Sequence, residues 1–333
     1  MRVMVTGGTG FVGSHAVEAL VAGGHEVHLL VRNPAKIRVV FEQRGIEIDG
    51  HTVGDMADSD AVRSAMTGCD AVLHAAASLY GGNAVRDANV RGVENAVGLA
   101  SELGLDPILY ISTVAAMYPP PGDMIRVDDP IVNLKTTYGE SKAEGERYAR
   151  ELQAADKPVV TIYPAGIYGP NDPGMGEPLK GLRDALRFGW PITATGVSII
   201  DVRDLASVVV ACLEPNRGPR RFMAGGHFVS WPQFADICDE VTGRHTRRVR
   251  LSPLVLRGVA RLLDFAKKVV PFEYPLTHEA SLMATNFVPC DSSSTIEQLG
   301  IAFRPTEETI ADAIRWLYEQ GEISAKTAGK LTR

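Results

Sequence analysis

The sequence predicts an α/β protein, in which a doubly wound parallel sheet is followed by a smaller, mostly helical C-terminal region. Three observations predict it. Apolar, β-rich runs such as "RVMVT", "EVHLLV" and "CDAVLHAAA" alternate with stretches of helical periodicity through the first two-thirds of the chain. A group of glycines follows the first apolar run directly. From about residue 227 the pattern becomes mostly helical and ends in the amphipathic segment "TEETIADAIRWLYEQ".

The composition limits the classes of function that need to be considered. The chain has 333 residues, 45% hydrophobic and 22% charged, which favours about two globular domains. Its net charge of −6 does not indicate a basic surface of the kind that binds nucleic acid, so we expect no nucleic-acid partner. The four cysteines lie far apart and predict neither a metal knuckle nor a disulfide scaffold. The sequence shows neither a signal peptide nor a long uncharged apolar run, so we expect a cytoplasmic protein without stable membrane insertion.

The glycines lie in "VMVTGGTGFVGSH", between a predicted strand and a predicted helix. Gly7, Gly10 and Gly13 keep GxxGxxG spacing, and Gly8 with the last two also satisfies GxGxxG. Glycines at this spacing permit a tight turn and let the backbone approach a pyrophosphate at the positive end of the helix. An ordinary strand-to-helix turn is the alternative, but the flanking elements are those that a dinucleotide site requires. We therefore predict a Rossmann-type nucleotide-binding domain.

The predicted domains are discontinuous in sequence. Strict alternation stops at the Gly- and Pro-rich "GIYGPNDPGMGEP", whereas "GVSIIDVRDLASVVVACL" indicates a strand and a helix that return to the first domain. We therefore predict that residues 1–165 and 196–226 form the nucleotide-binding domain. Residues 166–195 and 227–333 would form the substrate-binding region.

The end of the second predicted strand bears on which dinucleotide binds. In an NAD site, an acidic residue roughly 20 positions beyond the glycines holds the ribose 2′-hydroxyl. The segment "HLLVRNPAK" instead places Arg32 there, with Lys36 and Arg38 nearby. Because a guanidinium suits a 2′-phosphate, we predict NADP as the cofactor, with NAD as the alternative. A solvated arginine in a surface loop is the competing interpretation.

A tyrosine and a lysine provide the candidate acid–base pair. Tyr138 and Lys142 are four residues apart in the helical segment "TTYGESKAEGERYARE", which puts them on one helix face. An adjacent ammonium and an oxidised nicotinamide both favour the phenolate and lower the pKa of a tyrosine from about 10. An exposed helix face is the alternative. Upstream, "LYISTVAAMY" ends a predicted strand with Ser112 and Thr113, which strand alternation points to opposite faces, so only one would serve.

Together these motifs resemble the extended short-chain dehydrogenase/reductase family. The resemblance covers the glycine loop, "GDMAD", "HAAA" from His74, "NVRG" with Asn89, the strand-end hydroxyl, the Tyr–Lys pair and "IYGP". It implies a hydride transfer in which Tyr138 is the general acid/base. Lys142 would lower the pKa of that tyrosine and hold the nicotinamide ribose, and Thr113 would polarise the substrate oxygen, with Ser112 as the alternative.

The resemblance also implies a set of cofactor contacts. Asp55 matches the position where the family contacts adenine. A capping or turn role is the alternative interpretation of this aspartate. The small Ala75 and Ala76 would let a strand end lie against the cofactor, and core packing is the other interpretation. The implied cofactor-binding residues are Gly7, Gly10, Phe11, Val12, Gly13, Arg32, Asp55, Met56, Ala75, Ala76, Tyr138, Lys142, Pro164 and Ile167.

Two departures from the family pattern bear on the reaction. Tyr163-Pro164 stands where many relatives carry Arg-Pro, and "DVRDLA" replaces the "VDD" form of sugar-nucleotide enzymes. The second departure favours the branch of reductases and hydroxysteroid dehydrogenases that includes dihydroflavonol-reductase-like proteins. We therefore expect a carbonyl reductase or alcohol dehydrogenase that acts on a ketone, aldehyde or secondary alcohol. A sugar-nucleotide epimerase or dehydratase and a non-catalytic dinucleotide-sensing regulator are the alternatives.

Two segments of the substrate-binding region, "GIYGPNDPGMGEPL" and "PFEYPLTHEASLMATNFV", offer apolar side chains and few cations, so we expect a small, apolar substrate. Eight basic residues lie between positions 244 and 268, and those at 244–250 are predicted to face solvent. The helix predicted over 253–270 would be a lid, with a membrane-surface helix as the alternative. The spacing of the histidines predicts no metal site. The sequence is compatible with a homodimer but does not predict one. The predicted pocket residues are Tyr168, Met175, Leu179, Phe272, Tyr274, Leu282, Met283 and Phe287.

Overall fold

A computed structural model describes residues 1–48, 50–78, 82–132, 137–267 and 285–332. The strands in these ranges are β1 (Arg2–Thr6), β2 (Glu26–Val31), β3 (Gly50–Val53), β4 (Ala71–His74), β5 (Ile108–Ile111), β6 (Val159–Pro164), β7 (Gly166–Tyr168), β8 (Trp190–Ile192), β9 (Gly196–Asp201), β10 (Arg220–Ala224), β11 (His227–Ser230) and β12 (Arg248–Arg250). The α-helices are α1 (Phe11–Ala22), α2 (Ala35–Phe41), α3 (Ser59–Ala65), α4 (Gly82–Val93), α5 (Leu99–Glu102), α6 (Thr137–Ala154), α7 (Glu177–Phe188), α8 (Val202–Ala211), α9 (Trp231–Thr242), α10 (Pro253–Lys267), α11 (Ser293–Leu299), α12 (Thr306–Glu319) and α13 (Ala325–Ala328).

A seven-stranded parallel sheet positions the candidate site. Its strand order is β10-β6-β5-β4-β1-β2-β3. β4, β5 and β6 are buried along their whole length, as expected of Val- and Ile-rich strands in a parallel sheet. The chain passes from β1 outward to β3 and then returns to place β4 on the other side of β1. Ligands of such sheets bind beyond the carboxyl ends of the strands at this reversal. The predicted fold class is confirmed.

The chain divides into two compact units. Unit 1 contains Met1–Ala165, Val202–Ala224 and Asp291–Ala302, and therefore holds the seven-stranded sheet. Within it, α1 packs beside α8, and α4 packs beside α6.

Unit 2 contains Gly166–Asp201, Gly225–Cys290 and Phe303–Arg333. It has a three-stranded sheet, β11-β9-β7, and the strand pair β12-β8. β9, which we expected in the nucleotide-binding domain, pairs with β7 and β11 in this sheet. The core of unit 2 packs side chains of α7, α9 and α12 around the ring of Phe234. None of the helices in the described ranges combines the length and apolar character needed to cross a bilayer.

Candidate active site

The glycine loop connects β1 to α1 and packs against the end of β4. Gly7 has a φ of +71°, and a Cβ at this position would lie 2.6 Å from the backbone nitrogen of Ala76. Only glycine fits there without strain. A Cβ on Gly13 would collide with the carbonyl oxygen of Gly7, which also accepts a hydrogen bond from the Gly10 N–H at 2.9 Å. Ala75 and Ala76 therefore lie at the contact between the loop and the end of β4.

The N-terminus of α1 suits a bound anion. Gly10 caps this helix without a side-chain hydrogen bond, so no side chain competes for the first backbone N–H groups. Phe11 and Val12 occupy the first turn and are half-buried. Together with the bare loop, this arrangement fits the pyrophosphate of a dinucleotide.

The ends of β2 and β3 bring Arg32 and Asp55 together. These strands are parallel neighbours, so residues that directly follow them lie side by side. The guanidinium Nη1 of Arg32 is 3.9 Å from Asp55 Oδ2, and the arginine side chain is 76% exposed. The other carboxylate oxygen of Asp55 accepts a hydrogen bond from the N–H of Ala57, and the Met56 carbonyl accepts one from Asn95. An exposed ion pair contributes only about 0–1 kcal/mol, so Arg32 can exchange it for a phosphate at little cost.

Tyr138 and Lys142 lie one turn apart on α6. The Lys142 ammonium is buried and lies 5.9 Å from the centroid of the Tyr138 ring and 5.7 Å from that of Tyr110. It donates a hydrogen bond to the Ile111 carbonyl at 3.4 Å, which ties α6 to the end of β5. Burial lowers the pKa of Lys142 to about 8. A cation beside the ring of Tyr138 favours its phenolate.

The two hydroxyls that follow β5 differ in their surroundings. Ser112 is buried, and its Oγ has no hydrogen-bond partner among the described residues. Thr113 is half-buried, and its Oγ1 accepts a hydrogen bond from the Ala115 N–H at the start of a short 3₁₀ turn. Ile111, which contacts Lys142, directly precedes this pair. The hydroxyls and Lys142 therefore meet at the same end of the sheet.

His74 lies in the candidate site, although the "HAAA" motif that it begins predicted no role for it. It is buried, its Nδ1 lies 2.7 Å from Thr6 Oγ1, and its ring stacks on Tyr110 at 5.8 Å. Burial, with a smaller contribution from the charge of Lys142, lowers the pKa of His74 to about 3, so the imidazole is neutral. His74 therefore connects Thr6, at the end of β1 where the glycine loop begins, to Tyr110, whose ring lies near the Lys142 ammonium. The only signal in the sequence was a histidine immediately before the two alanines.

The remaining predicted residues lie in several places. Pro164 is the last residue of β6, and Ile167 lies in β7 of unit 2. Tyr168 and Leu179 belong to the core of unit 2, Met175 packs against it, and Phe287 is buried. Arg247, Arg248 and Arg250 are exposed, whereas Arg244 is half-buried. Outside the described residues lie Phe272, Tyr274, Leu282 and Met283.

Unit 2 also contains a pocket of about 260 Å³ with a largely apolar lining. The rings of Trp190, Trp231 and Phe234 form much of its wall, and Glu177 and Thr193 contribute polar groups. Among the described residues that line it, none is an arginine or a lysine. Such a lining suits an apolar or aromatic group rather than a diphosphate. In the part of the chain that the structure describes, no three His, Cys, Asp or Glu side chains cluster as they would around a metal ion.

Comparisons with known proteins agree with this fold. The model of the NAD dependent epimerase/dehydratase family matches residues 3–225. A putative dihydroflavonol 4-reductase from Synechocystis sp. is 27% identical, over 97% of this chain and 96% of the relative. The 4-hydroxy-2-methyl-3-oxo-4-farnesyl-3,4-dihydroquinoline-1-oxide ketoreductase of Stigmatella aurantiaca is 26% identical, over 95% of this chain and 96% of the relative.

A solved structure shares the fold along nearly the whole chain. The UDP-glucose 4-epimerase from Bifidobacterium longum, in complex with NAD+ and UDP, aligns with a TM-score of 0.73 and 16% identity. The alignment covers 97% of this chain and 99% of that one. Because the family model matches most of the chain and the fold agrees, this protein belongs to the NAD-dependent epimerase/dehydratase family, the extended short-chain dehydrogenases/reductases.

Proposed function

We propose that the protein is an NADP-dependent oxidoreductase that interconverts a ketone or aldehyde with the corresponding alcohol. The observation that carries this proposal is the buried Lys142 ammonium, 5.9 Å from the ring centroid of Tyr138 at the end of β5. A tyrosine whose phenolate is stabilised in this way can exchange a proton with a substrate oxygen near neutral pH. The names of two relatives that match nearly the whole chain, a dihydroflavonol reductase and a ketoreductase, support the same class of reaction.

Each residue of the candidate site has a distinct proposed role. A nicotinamide held by these residues would supply the hydride for reduction and accept it in oxidation. Tyr138 donates its hydroxyl proton to the substrate oxygen, while the Lys142 ammonium stabilises the phenolate that remains. Thr113 Oγ1 accepts a hydrogen bond from Ala115, so its own proton can be donated to the same substrate oxygen. Lys142 also holds the nicotinamide ribose, and the glycine loop with the start of α1 holds the pyrophosphate.

Arg32 is expected to make the enzyme prefer NADPH to NADH. A charge-assisted hydrogen bond to the 2′-phosphate contributes about 1.5–3 kcal/mol, which corresponds to about 10- to 100-fold in affinity. Arg32→Asp should abolish or reverse this preference, as measured by the dissociation constants of both cofactors. Arg63→Asp is the matched control. Arg63 is likewise an exposed arginine in an ion pair, and its substitution changes the charge by the same amount. Equal affinity of the unmodified protein for NADPH and NADH would defeat the prediction.

The substrate is proposed to be a small apolar carbonyl compound or alcohol. The described lining of the pocket in unit 2 would suit such a group, and none of Thr113, Tyr138 and Lys142 is among its lining residues. A diphosphate would need inward-facing arginine or lysine, and burying such cations without their ligand would be costly. The exposed positions of Arg247, Arg248 and Arg250 favour the same conclusion.

A sugar-nucleotide epimerase is the second candidate function, because the chain shares its fold with a UDP-glucose 4-epimerase. The two candidates differ in the fate of the cofactor. A reductase consumes NADPH, whereas an epimerase returns the hydride to its product. Assays of NADPH and NADH oxidation with apolar ketones and aldehydes, beside UDP- and TDP-sugars, separate them. We expect NADPH consumption with a carbonyl compound, and conversion of a sugar nucleotide without net oxidation would favour the epimerase.

A further inference from the structure

Four side chains with chemical function occupy every fourth position of α6. They are Tyr138, Lys142, Glu146 and Arg150, and the period of the helix puts them on one face. The proposed function uses the first two. Glu146 has no role in it, although its side chain is completely buried. A buried carboxylate needs an explanation, because ionised groups are costly to remove from water unless they are compensated.

Oriented donors hold the Glu146 carboxylate through one of its oxygens. Oε1 accepts hydrogen bonds from the Tyr163 hydroxyl at 2.5 Å and from Arg150 Nε at 3.0 Å. Arg150 is fixed in turn by donating to the backbone carbonyls of Val127 and Asp129. Oε2 has no hydrogen-bond partner among the described residues. The carboxylate is therefore held in place by groups that belong to β6, α6 and the segment before α6.

Lys142 has no direct counter-ion among the residues that the structure describes. Its ammonium donates to the Ile111 carbonyl and lies near two aromatic rings, and no described carboxylate forms an ion pair with it. The groups that face it from the neighbouring strands carry no negative charge. Burial keeps His74 on β4 neutral by lowering its pKa to about 3, and burial raises the pKa of Tyr110 on β5 above its ordinary value.

Two further titratable groups that contact α6 are accounted for by pairing or protonation. On α4, Arg86 contacts Glu140 and Glu144. Burial raises the pKa of Tyr163 on β6 well above its ordinary value, so its hydroxyl stays protonated as the donor to Glu146. Among the described residues of α6, Glu146 is thus the buried carboxylate on the face of Lys142, and it also forms an ion pair with Arg150. Its charge raises the pKa of the ammonium, against the larger effect of burial.

We propose that Glu146 is a positioning residue of the active site, whose buried carboxylate keeps the Lys142 ammonium charged without binding it directly. The inference rests on the proposed role of Lys142 in the oxidoreductase. An ammonium has three N–H groups, and the Ile111 carbonyl accepts from one. A direct ion pair would occupy another. A carboxylate one turn away supplies the compensating charge and leaves the other two donors for the tyrosine and the cofactor ribose.

A double-mutant cycle on unfolding tests this inference without an activity assay. The proteins are the wild type, Lys142→Met, Glu146→Gln and the double variant, each unfolded in denaturant at pH 7 and at about pH 10. Glutamine keeps the Oε1 acceptor for Tyr163 and Arg150, and no hydrogen bond at Oε2 is lost, so the substitution removes mainly the charge. Lys142→Met removes the cation and keeps a similar apolar volume.

We expect strong coupling at pH 7 and its loss at about pH 10. At pH 7, Glu146→Gln should reduce the folding equilibrium constant about tenfold more when Lys142 is present than when methionine replaces it. At about pH 10, Lys142 is neutral in the folded protein, so this difference should disappear. Glu144→Gln is the matched control, because Glu144 lies on the same helix but pairs with Arg86, and its effect should be the same with or without Lys142.

Each other outcome decides the question. Additive effects of the two substitutions at pH 7, or coupling that persists at about pH 10, would show that Glu146 acts only through packing and would overturn the proposal. If Glu146→Gln fails to fold alone, folding of the double variant supports the proposal, and failure of both contradicts it. Because the measurement is one of stability, its outcome is independent of whether the protein reduces any carbonyl compound.

Discussion

Tyr138→Phe should lower the turnover number by about 100- to 10,000-fold, the usual contribution of general acid–base catalysis, while NADPH binding persists. The phenol transfers a proton but is expected to contribute little to holding the cofactor. Lys142→Ala should lower both the turnover number and the affinity for NADPH, because the ammonium stabilises the phenolate of the tyrosine and binds the cofactor ribose. Steady-state kinetics with a titration of NADPH binding measure the two effects separately.

The control for this prediction is another tyrosine of α6. Tyr148 lies ten residues beyond Tyr138 and is half-buried against Gly98 rather than beside Lys142. Tyr148→Phe should therefore keep the turnover of the wild type. Near-normal turnover of Tyr138→Phe would show that the proposed proton donor is wrong.

Acid should destabilise the protein through His74 by about 5 kcal/mol between pH 6.5 and 3. Burial depresses the pKa of His74 from 6.5 to about 3 in the folded state, whereas the unfolded chain keeps the ordinary value. The unfolded state therefore binds more protons within this window, so its free energy falls relative to the folded state as the pH decreases. This part of the free energy of unfolding is fully present above pH 6.5 and is lost progressively as the pH falls towards 3. The size follows from about 1.4 kcal/mol for each pH unit between the two pKa values.

Denaturant unfolding of His74→Gln at several pH values checks this prediction. The variant lacks the titrating imidazole and should lose less stability than the wild type between pH 6.5 and 4. His51→Gln is the control, because it makes the same substitution at a histidine that lies on the surface at β3 rather than in the core. Parallel loss of stability in His74→Gln and the wild type would assign the acid sensitivity to other groups.

The sequence predicted the sheet well because its signals are local. Buried parallel strands appear as short apolar runs, and the glycine loop marks the turn from the first strand to the first helix. The assignment of β9 could not be predicted in the same way. Its apolar run predicts a strand, but its pairing with β7 and β11 depends on hydrogen bonds to distant segments, which periodicity does not reveal.

The candidate site was partly predictable for a similar reason. The spacing of Tyr138 and Lys142 places both on one helix face, whatever surrounds the helix. Glu146 gives no such signal, because a glutamate in "AEGERYARE" is typical of a solvated helix. Only the packing of α6 against β6 removes it from water and supplies Tyr163 as its donor. The neutral state of His74 likewise depends on its burial between Thr6 and Tyr110.

Transfer of deuterium from NADPH labelled at C4 of the nicotinamide tests most directly whether the protein is a reductase. NADPH labelled on either face of the ring is incubated with the protein and a carbonyl compound that supports cofactor oxidation, and the product is analysed by mass spectrometry. We predict that one of the two labelled forms gives an alcohol with one deuterium at the carbinol carbon for each NADPH oxidised. The proposed function would be contradicted if a sugar nucleotide were converted without gaining deuterium while the cofactor kept its label and its oxidation state.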